Sequence, residues 1–258
     1  MRHSFNSHLE VADLNQIKYK ERNLIQGRKR MKKLIASMTT ALTACGLAFG
    51  EYTPLMVSIV DPVQLPSDRY DVGGLRLNII YGDCNDFAGL DIGIISHTAG
   101  DFYGLAVGGV NKTNGRFYGA QVGLVNINDW ATSEWDALPI GAQFGIVNYS
   151  GAFCGLQDGL FINLSSTEFV GLQSAFVNGA GRMYGCQLGL GNVADEVHGT
   201  QLGLYGILCI NFAGSVSGCQ IGLLNVAGKV ESGLQIGLLN INASNGWAPV
   251  LPIVNGHF

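Results

Sequence analysis

Charged residues are scarce in this chain: they make up 13% of its 258 residues, about half the share of an ordinary soluble domain. Its mean hydropathy is positive, +0.24, and with so little charge this excludes a disordered, solvating polymer. Basic residues are scarcer still after the first fifty. From Glu51 onward six Lys/Arg face sixteen Asp/Glu, a net of −10. That excludes nucleic acid as a partner, because phosphate backbones are held by basic stripes. Six cysteines occur and no C-x-x-C among them, so a zinc ribbon or dithiol redox motif has no basis. Removal of the first fifty residues would leave five, an odd number for a disulfide framework. No Gly-x-Ser-x-Gly elbow is present, and Asp is too scattered for the dense oxygen-ligand columns of calcium sites. Gly189-Leu-Gly-Asn-Val-Ala194 matches a dinucleotide fingerprint in letters only, since no βαβ pattern surrounds it. No cofactor and no metal are expected, and the chain does not read as an enzyme.

The first fifty residues differ from the rest, with nine Lys/Arg against three Asp/Glu, a net of +6. Met31-Lys32-Lys33 precedes an apolar run of about a dozen residues that ends in small ones, the pattern of a secretory signal peptide over 31–50. The run is shorter than the ~20 residues of a spanning helix. Ala48 and Gly50 suit cleavage before Glu51. Leu42-Thr43-Ala44-Cys45 offers the other reading, a lipobox with Cys45 as the lipidated residue. Residues 1–30 fit neither a signal peptide nor a domain. They read as an upstream extension, with translation starting at Met31, or as a disordered basic tail.

What the chain has in excess is glycine, 37 residues, about twice the usual ~7% and without a collagen period. The glycines belong to a repeat of the form Gly-Φ-Gln-Φ-Gly-Φ-Φ-Asn. Its first glycines are Gly74, Gly89, Gly104, Gly119, Gly141, Gly155, Gly171, Gly185, Gly199, Gly218 and Gly233. They stand 14–16 residues apart except for intervals of 22 after Gly119 and 19 after Gly199. Two places on comes Gln121, Gln143, Gln157, Gln173, Gln187, Gln201, Gln220 or Gln235, while the first three units carry Arg76, Asp91 and Ala106 there. A second glycine follows in every unit except those with Asn78 and Ala175. Seven units close on Asn: Asn111, Asn126, Asn148, Asn178, Asn192, Asn225 and Asn240. Side chains alternate within the unit, so Leu234, Ile236 and Leu238 share one face and Gly233, Gln235 and Gly237 the other. Period two means strands, and repeated glycine weakens any helix by about 1 kcal/mol each.

Strands at this period predict an all-β chain: a β-solenoid of about eleven 14–16-residue coils, two of them longer, with an up-and-down outer-membrane β-barrel as the alternative. In the solenoid equivalent residues stack ~4.8 Å apart, so Gln and Asn form hydrogen-bonded ladders. In the barrel each unit is one antiparallel strand, and Phe102-Tyr103, Phe117-Tyr118 and Tyr184 would be aromatic girdles around a small pore or anchor. The motif is directional along the strand, and antiparallel neighbours would put it at alternating ends. That favours the solenoid. Residues 51–73 and 246–258 fall outside the repeat (74–245) and are expected to cap its ends, as open edges would otherwise pair with other chains.

Gly218-Cys-Gln-Ile-Gly-Leu-Leu-Asn225 and Gly233-Leu-Gln-Ile-Gly-Leu-Leu-Asn240 resemble the uncharacterised bacterial surface-repeat proteins built from G-x-Q-x-G-x-x-N units. The resemblance covers about 74–245. It implies export and a cell-surface, outer-membrane or periplasmic location, and it offers no catalytic residues.

The expected function is therefore that of an exported structural or interaction module with an envelope or extracellular partner. The insertion Trp130–Pro139 is the candidate interaction loop, since Trp130, Glu134, Trp135 and Asp136 combine large aromatics with acids. His198 with Asp195 and Glu196 is the one cluster with acid–base potential, in a polar turn. Cys186 and Cys219 share a column two units apart, ~9–10 Å in a stack, too far for a disulfide.

Overall fold

The computed structural model describes residues 52–60, 62–132, 134, 137–203 and 209–257. The extension 1–30, the signal segment 31–50 with Cys45, and Trp135 and Asp136 of the candidate loop lie outside them. The strands are β1 (Tyr52–Val60), β2 (Val63–Leu65), β3 (Asp71–Cys84), β4 (Phe87–Thr98), β5 (Phe102–Thr113), β6 (Phe117–Asn128), β7 (Ile140–Ser174), β8 (Val177–Gly189), β9 (Gly191–Gly203), β10 (Ile210–Ile221), β11 (Leu224–Asn242) and β12 (Val250–His257). They form one sheet in the order β12-β11-β10-β9-β8-β7-β6-β5-β4-β3-β1-β2.

Each pairing from β1–β3 through β10–β11 is parallel. Only the end pairs, β1–β2 and β11–β12, are antiparallel. The chain is a β-solenoid, and the barrel alternative is wrong. A barrel of up-and-down strands needs antiparallel neighbours throughout, whereas here each coil returns to stack on the one before it. The girdle assigned to Phe102 and Phe117 fails with the barrel, because both rings are buried. β1 adds a further parallel rung ahead of the repeat, setting Met56 beside Arg76 and Ser58 beside Asn78. Residues 250–257 lie antiparallel on the last coil, with Asn255 opposite Gln235.

The glycine columns explain why the unit closes on itself. Gly74, Gly89, Gly104, Gly119 and Gly141 pair in one register, as do Gly171, Gly185, Gly199, Gly218 and Gly233. At Gly104 φ is +141°, a value side chains rarely adopt. A Cβ there would fall onto the carbonyl oxygen of Gly89. The residues two places before and two places after the glycine both turn inward. Phe117 and Gln121, on either side of Gly119, are both buried.

Four columns fill the interior. One is aromatic and aliphatic: Phe87, Phe102, Phe117, Phe153 and Phe169 stack with ring centroids 5.1, 5.4, 6.1 and 6.2 Å apart. Met183, Val197, Val216 and Val230 continue it. The second is the Gln column and the third the Asn column. The fourth is small, running Cys84, Thr98, Thr113, Asn128 and Ser150, then Ser165, Ala180, Ala194, Ala213 and Ala227. Side chains of four sizes repeated at four places keep the coils alike in cross-section.

Candidate functional site

The ladders are built as the sequence requires. Each Gln from Gln143 to Gln235 donates its Nε2–H to the Oε1 of the Gln one coil earlier, at 2.8–2.9 Å. Several also donate across the interior to a carbonyl six residues on, as Gln173 does to Gly179 and Gln235 to Ile241. One side chain thus ties coil to coil and wall to wall, which an aliphatic residue of the same size cannot do.

The Asn column runs the other way. Asn111, Asn126, Asn148, Asn163, Asn178, Asn192, Asn211 and Asn225 each donate Nδ2–H to the Oδ1 of the next Asn toward the C-terminus, ending on Asn240, at 2.7–3.1 Å. In all but Asn211 the Nδ2 amide also meets a carbonyl of the following coil beside its bend, such as Phe144, Leu188 or Ile236. The two amide rows point in opposite directions, so their dipoles oppose one another. Asn163 and Asn211 belong to this column although the spacing missed both. An extra residue in the Gly155 unit and the insertion after Gly203 move them out of the eighth place.

Where the rows end, partners run out: Oε1 of Gln235 and Oδ1 of Asn111 are buried without a hydrogen bond. This grades the expected effect of substitution. Gln201→Leu strands the Gln187 Oε1 and one donor of Gln220, and each buried orphan costs about 1–3 kcal/mol. A loss of about 2–3 kcal/mol is expected in urea unfolding, against about 1 kcal/mol for Gln235→Leu, whose Oε1 already lacks a partner. Equal, negligible losses would mean that the amides do not hold the stack.

The candidate loop is folded against its own coil and the one that follows. Trp130 is half-buried; its indole N–H donates to the Ala137 carbonyl at 3.2 Å, and its carbonyl accepts from Ala152 at 2.9 Å. Leu138 is buried beneath the loop. Glu134 is exposed, in a turn closed by Ala137 N–H to its carbonyl. His198 stacks on Tyr184, ring centroids 4.8 Å apart, and stands 3.9 Å from Glu196. Asp195 and Glu196 are exposed. Cys84, Cys154, Cys186, Cys209 and Cys219 are free thiols, and Thr200 lies between Cys186 and Cys219 in their column. Burial pushes the thiols of Cys84 and Cys209 up to about 11, which keeps them protonated and poor nucleophiles near neutrality. Among the described residues no group of three His, Cys, Asp or Glu is arranged to hold a metal ion.

The outer surface is divided sharply by chemistry. Residues one, three, five and six places after each first glycine point outward along one wall and the bend that ends it. In those places the described residues include a single charge, Asp158, and two hydroxyls, Ser174 and Thr200; nearly all the others are Leu, Ile, Val, Phe or Ala. Exposure is greatest at the bend, where Ile79, Ile94, Leu124 and Leu238 are 57%, 58%, 58% and 69% exposed. The other described charges from Gly74 to Asn245, apart from the buried pair Arg76–Asp91, stand eight or more places after a first glycine. They pair there across coils: Arg116 with Asp101 at 2.6 Å, Lys112 with Asp129 at 3.0 Å, and Arg182 with Glu168, itself buried, at 2.8 Å. Between the ionic side and the apolar wall runs the place just before the glycine, which holds Tyr103, Tyr118 and Tyr184 in three units and Gly, Ala, Ile, Cys, Val, His or Ser in the other eight. Tyr103 and Tyr118 stack at 5.2 Å.

The sequence had separated these two faces by period two. It carried the amides inward, and the consequence is a solenoid whose interior is half polar and whose outer wall is apolar. No protein-family model, no curated protein and no solved structure matches the chain.

Proposed function

We propose that this chain is an exported, non-enzymatic repeat protein of the cell surface or outer envelope, acting as a structural or interaction module. The observation that carries the reading is the outer wall. It runs the length of the stack with one described charge, Asp158, and contiguous apolar surface of that extent marks a place of contact. The interior polar groups support a scaffold role: they are engaged with one another in ladders, away from any substrate. The basic start at Met31, the apolar run and the small residues before Glu51 support export, in keeping with the likeness to envelope repeat proteins.

Fractionation of cells followed by N-terminal sequencing tests this reading. The protein is expected in the envelope or the medium, beginning at Glu51, or at a lipid-modified Cys45. Recovery from the cytoplasm with Met31 intact would overturn it.

A further inference from the structure

We infer that the apolar wall docks on the surface of a lipid bilayer, with its bend sunk among the acyl chains and the ionic side in water. The inference rests on the reading of the chain as an interaction module, and it is independent of how the chain is exported.

Three features of the wall point to hydrocarbon instead of a protein partner. The first is extent. Eleven rungs at ~4.8 Å make a wall about 50 Å long, and six residues at ~3.3 Å make it about 20 Å wide. That is about 1,000 Å², well beyond the ~300–600 Å² of the largest patch on an ordinary monomer. The second is composition. Protein interfaces draw on Arg, Trp and Tyr anchors and about one hydrogen bond per 100–200 Å². The outward places of this wall hold no described Arg, Trp or Tyr, and only Asp158, Ser174 and Thr200 offer side-chain hydrogen bonds. A bilayer needs neither anchors nor register.

The third is the order of chemistries around the coil. In the Gly104 and Gly119 units the order from ionic side to bend is charge, tyrosine, aliphatic. Tyr103 and Tyr118 lie between Asp101–Arg116 and the Leu105 and Val107 positions. Phenol rings between water and hydrocarbon are what a membrane interface selects. The bend residues, which project furthest, would enter deepest, and interfacial elements bury an apolar face by about 5–10 Å. Asp158 stands three places after its glycine, back from the bend.

A second copy of the chain is the rival occupant. Asp158 falls in the sixth of the eleven units, at the middle of the wall. A twofold, face-to-face pair centred there would bring the two carboxylates together as water leaves, and like charges so placed oppose association. Nor does the wall carry a basic cluster, so the attraction is to acyl chains and not to anionic headgroups.

The test is flotation of the full-length protein with vesicles of phosphatidylcholine alone. The protein is expected to float with them, equally at low salt and in 0.5 M NaCl. Leu124→Glu and Leu238→Glu, made separately, should each lower the floated fraction about tenfold or more. Both replace exposed side chains, and circular dichroism checks that the β signal is kept. If one variant unfolds, the other decides. Lys229→Gln, on the ionic side, should float as the wild type does. Binding unchanged in both folded variants would assign the lipid contact to another segment, residues 31–50 included, and overturn the inference. So would a protein that stays below the vesicles, whether as a monomer or as a discrete dimer with the wall closed by a second copy. Envelope fractionation fails or succeeds independently, so loss of the export reading would leave this result standing.

Discussion

Gly119→Ala is expected to destabilise the solenoid by about 4–6 kcal/mol, enough to unfold a protein of ordinary stability. The residue needs φ of +144°, and a Cβ would meet the carbonyl oxygen of Gly104. Positive φ for a side chain costs about 1–3 kcal/mol. The steric part adds to this, because the obstructing atom is backbone held in a parallel ladder. Moving it away means separating two coils, which breaks the hydrogen bonds of the Asn row between them. Gly141→Ala isolates the second contribution. Its φ is not among the positive ones, yet a Cβ there meets the Gly119 carbonyl, so a smaller loss of about 2–3 kcal/mol is expected. Gly246→Ala serves as the reference, with no atom within 4 Å of its Cβ position, and should change stability by less than ~0.5 kcal/mol. Urea unfolding of the three variants reads the series. A Gly119→Ala protein as stable as Gly246→Ala would mean that the glycine column does not set the coil spacing.

These columns were legible in the sequence because parallel stacking gives every copy of the unit the same surroundings. A residue needed once is needed eleven times, and the eleven glycines and eight glutamines stand out for that reason. Strict spacing fails where the chain bulges outward without leaving the stack. Asn163 and Asn211 are displaced in sequence but not in space, since the inward Asn resumes its place after the extra residues. The aromatic column was hidden differently. Its members change from Phe169 to Met183 and Val197 along the stack, and stacking a buried apolar place asks only for volume. The first three units departed from the Gln pattern without revealing why. Arg76 and Asp91 stand one unit apart at the same place of the repeat, and the parallel register sets them directly opposite one another. The candidate loop was marked by composition. Its described part is a turn packed on its own coil and the one that follows, and its indole, with a carbonyl seven residues away in reach, bonds locally. The docking wall was the least legible feature, since Leu, Ile and Val at alternate places read equally well as a core.

The opposed directions of the two amide rows follow from how each is anchored. Gln spends its second donor on the far wall of its own coil, whereas Asn spends it on the bend of the next. At two bends the carbonyl already accepts a backbone N–H, Leu188 from Ala175 and Ile236 from Gly222, and Asn adds a second donor to each. The amide rows thus tie each coil across its own interior and to its neighbour at the bends.

Asp91→Ala should cost about 3–5 kcal/mol, although no ligand or outer surface is touched. Arg76 and Asp91 occupy the first two rungs of the Gln column, both fully buried, with Nη2 and Oδ2 2.6 Å apart. Arg76 also donates to the His97 carbonyl at 2.7 Å and to Thr98 Oγ1 at 3.0 Å, and packs its guanidinium 4.9 Å from the centre of the Phe87 ring. Asn78 donates to the other carboxylate oxygen at 3.0 Å. Burial disfavours the guanidinium charge, but Asp91, with Cys84 and Asp83 behind it, outweighs burial and raises the Arg76 pKa above its ordinary value. Alanine at 91 therefore leaves a permanent cation enclosed, with its Nε already lacking a partner. Replacing the whole device is a different matter. Arg76→Gln with Asp91→Gln and Ala106→Gln would carry the amide ladder through three more rungs, and exchanging a buried ion pair for matched neutral groups is often neutral or stabilising by about 1–4 kcal/mol. The triple variant is expected to unfold at a urea concentration no lower than the wild type. What it gives up is register: identical rungs can pair one coil out of place, whereas an Arg–Asp rung fits only its own partner. If Asp91→Ala loses less than about 1 kcal/mol, water reaches the pair and the rung is not a sealed one.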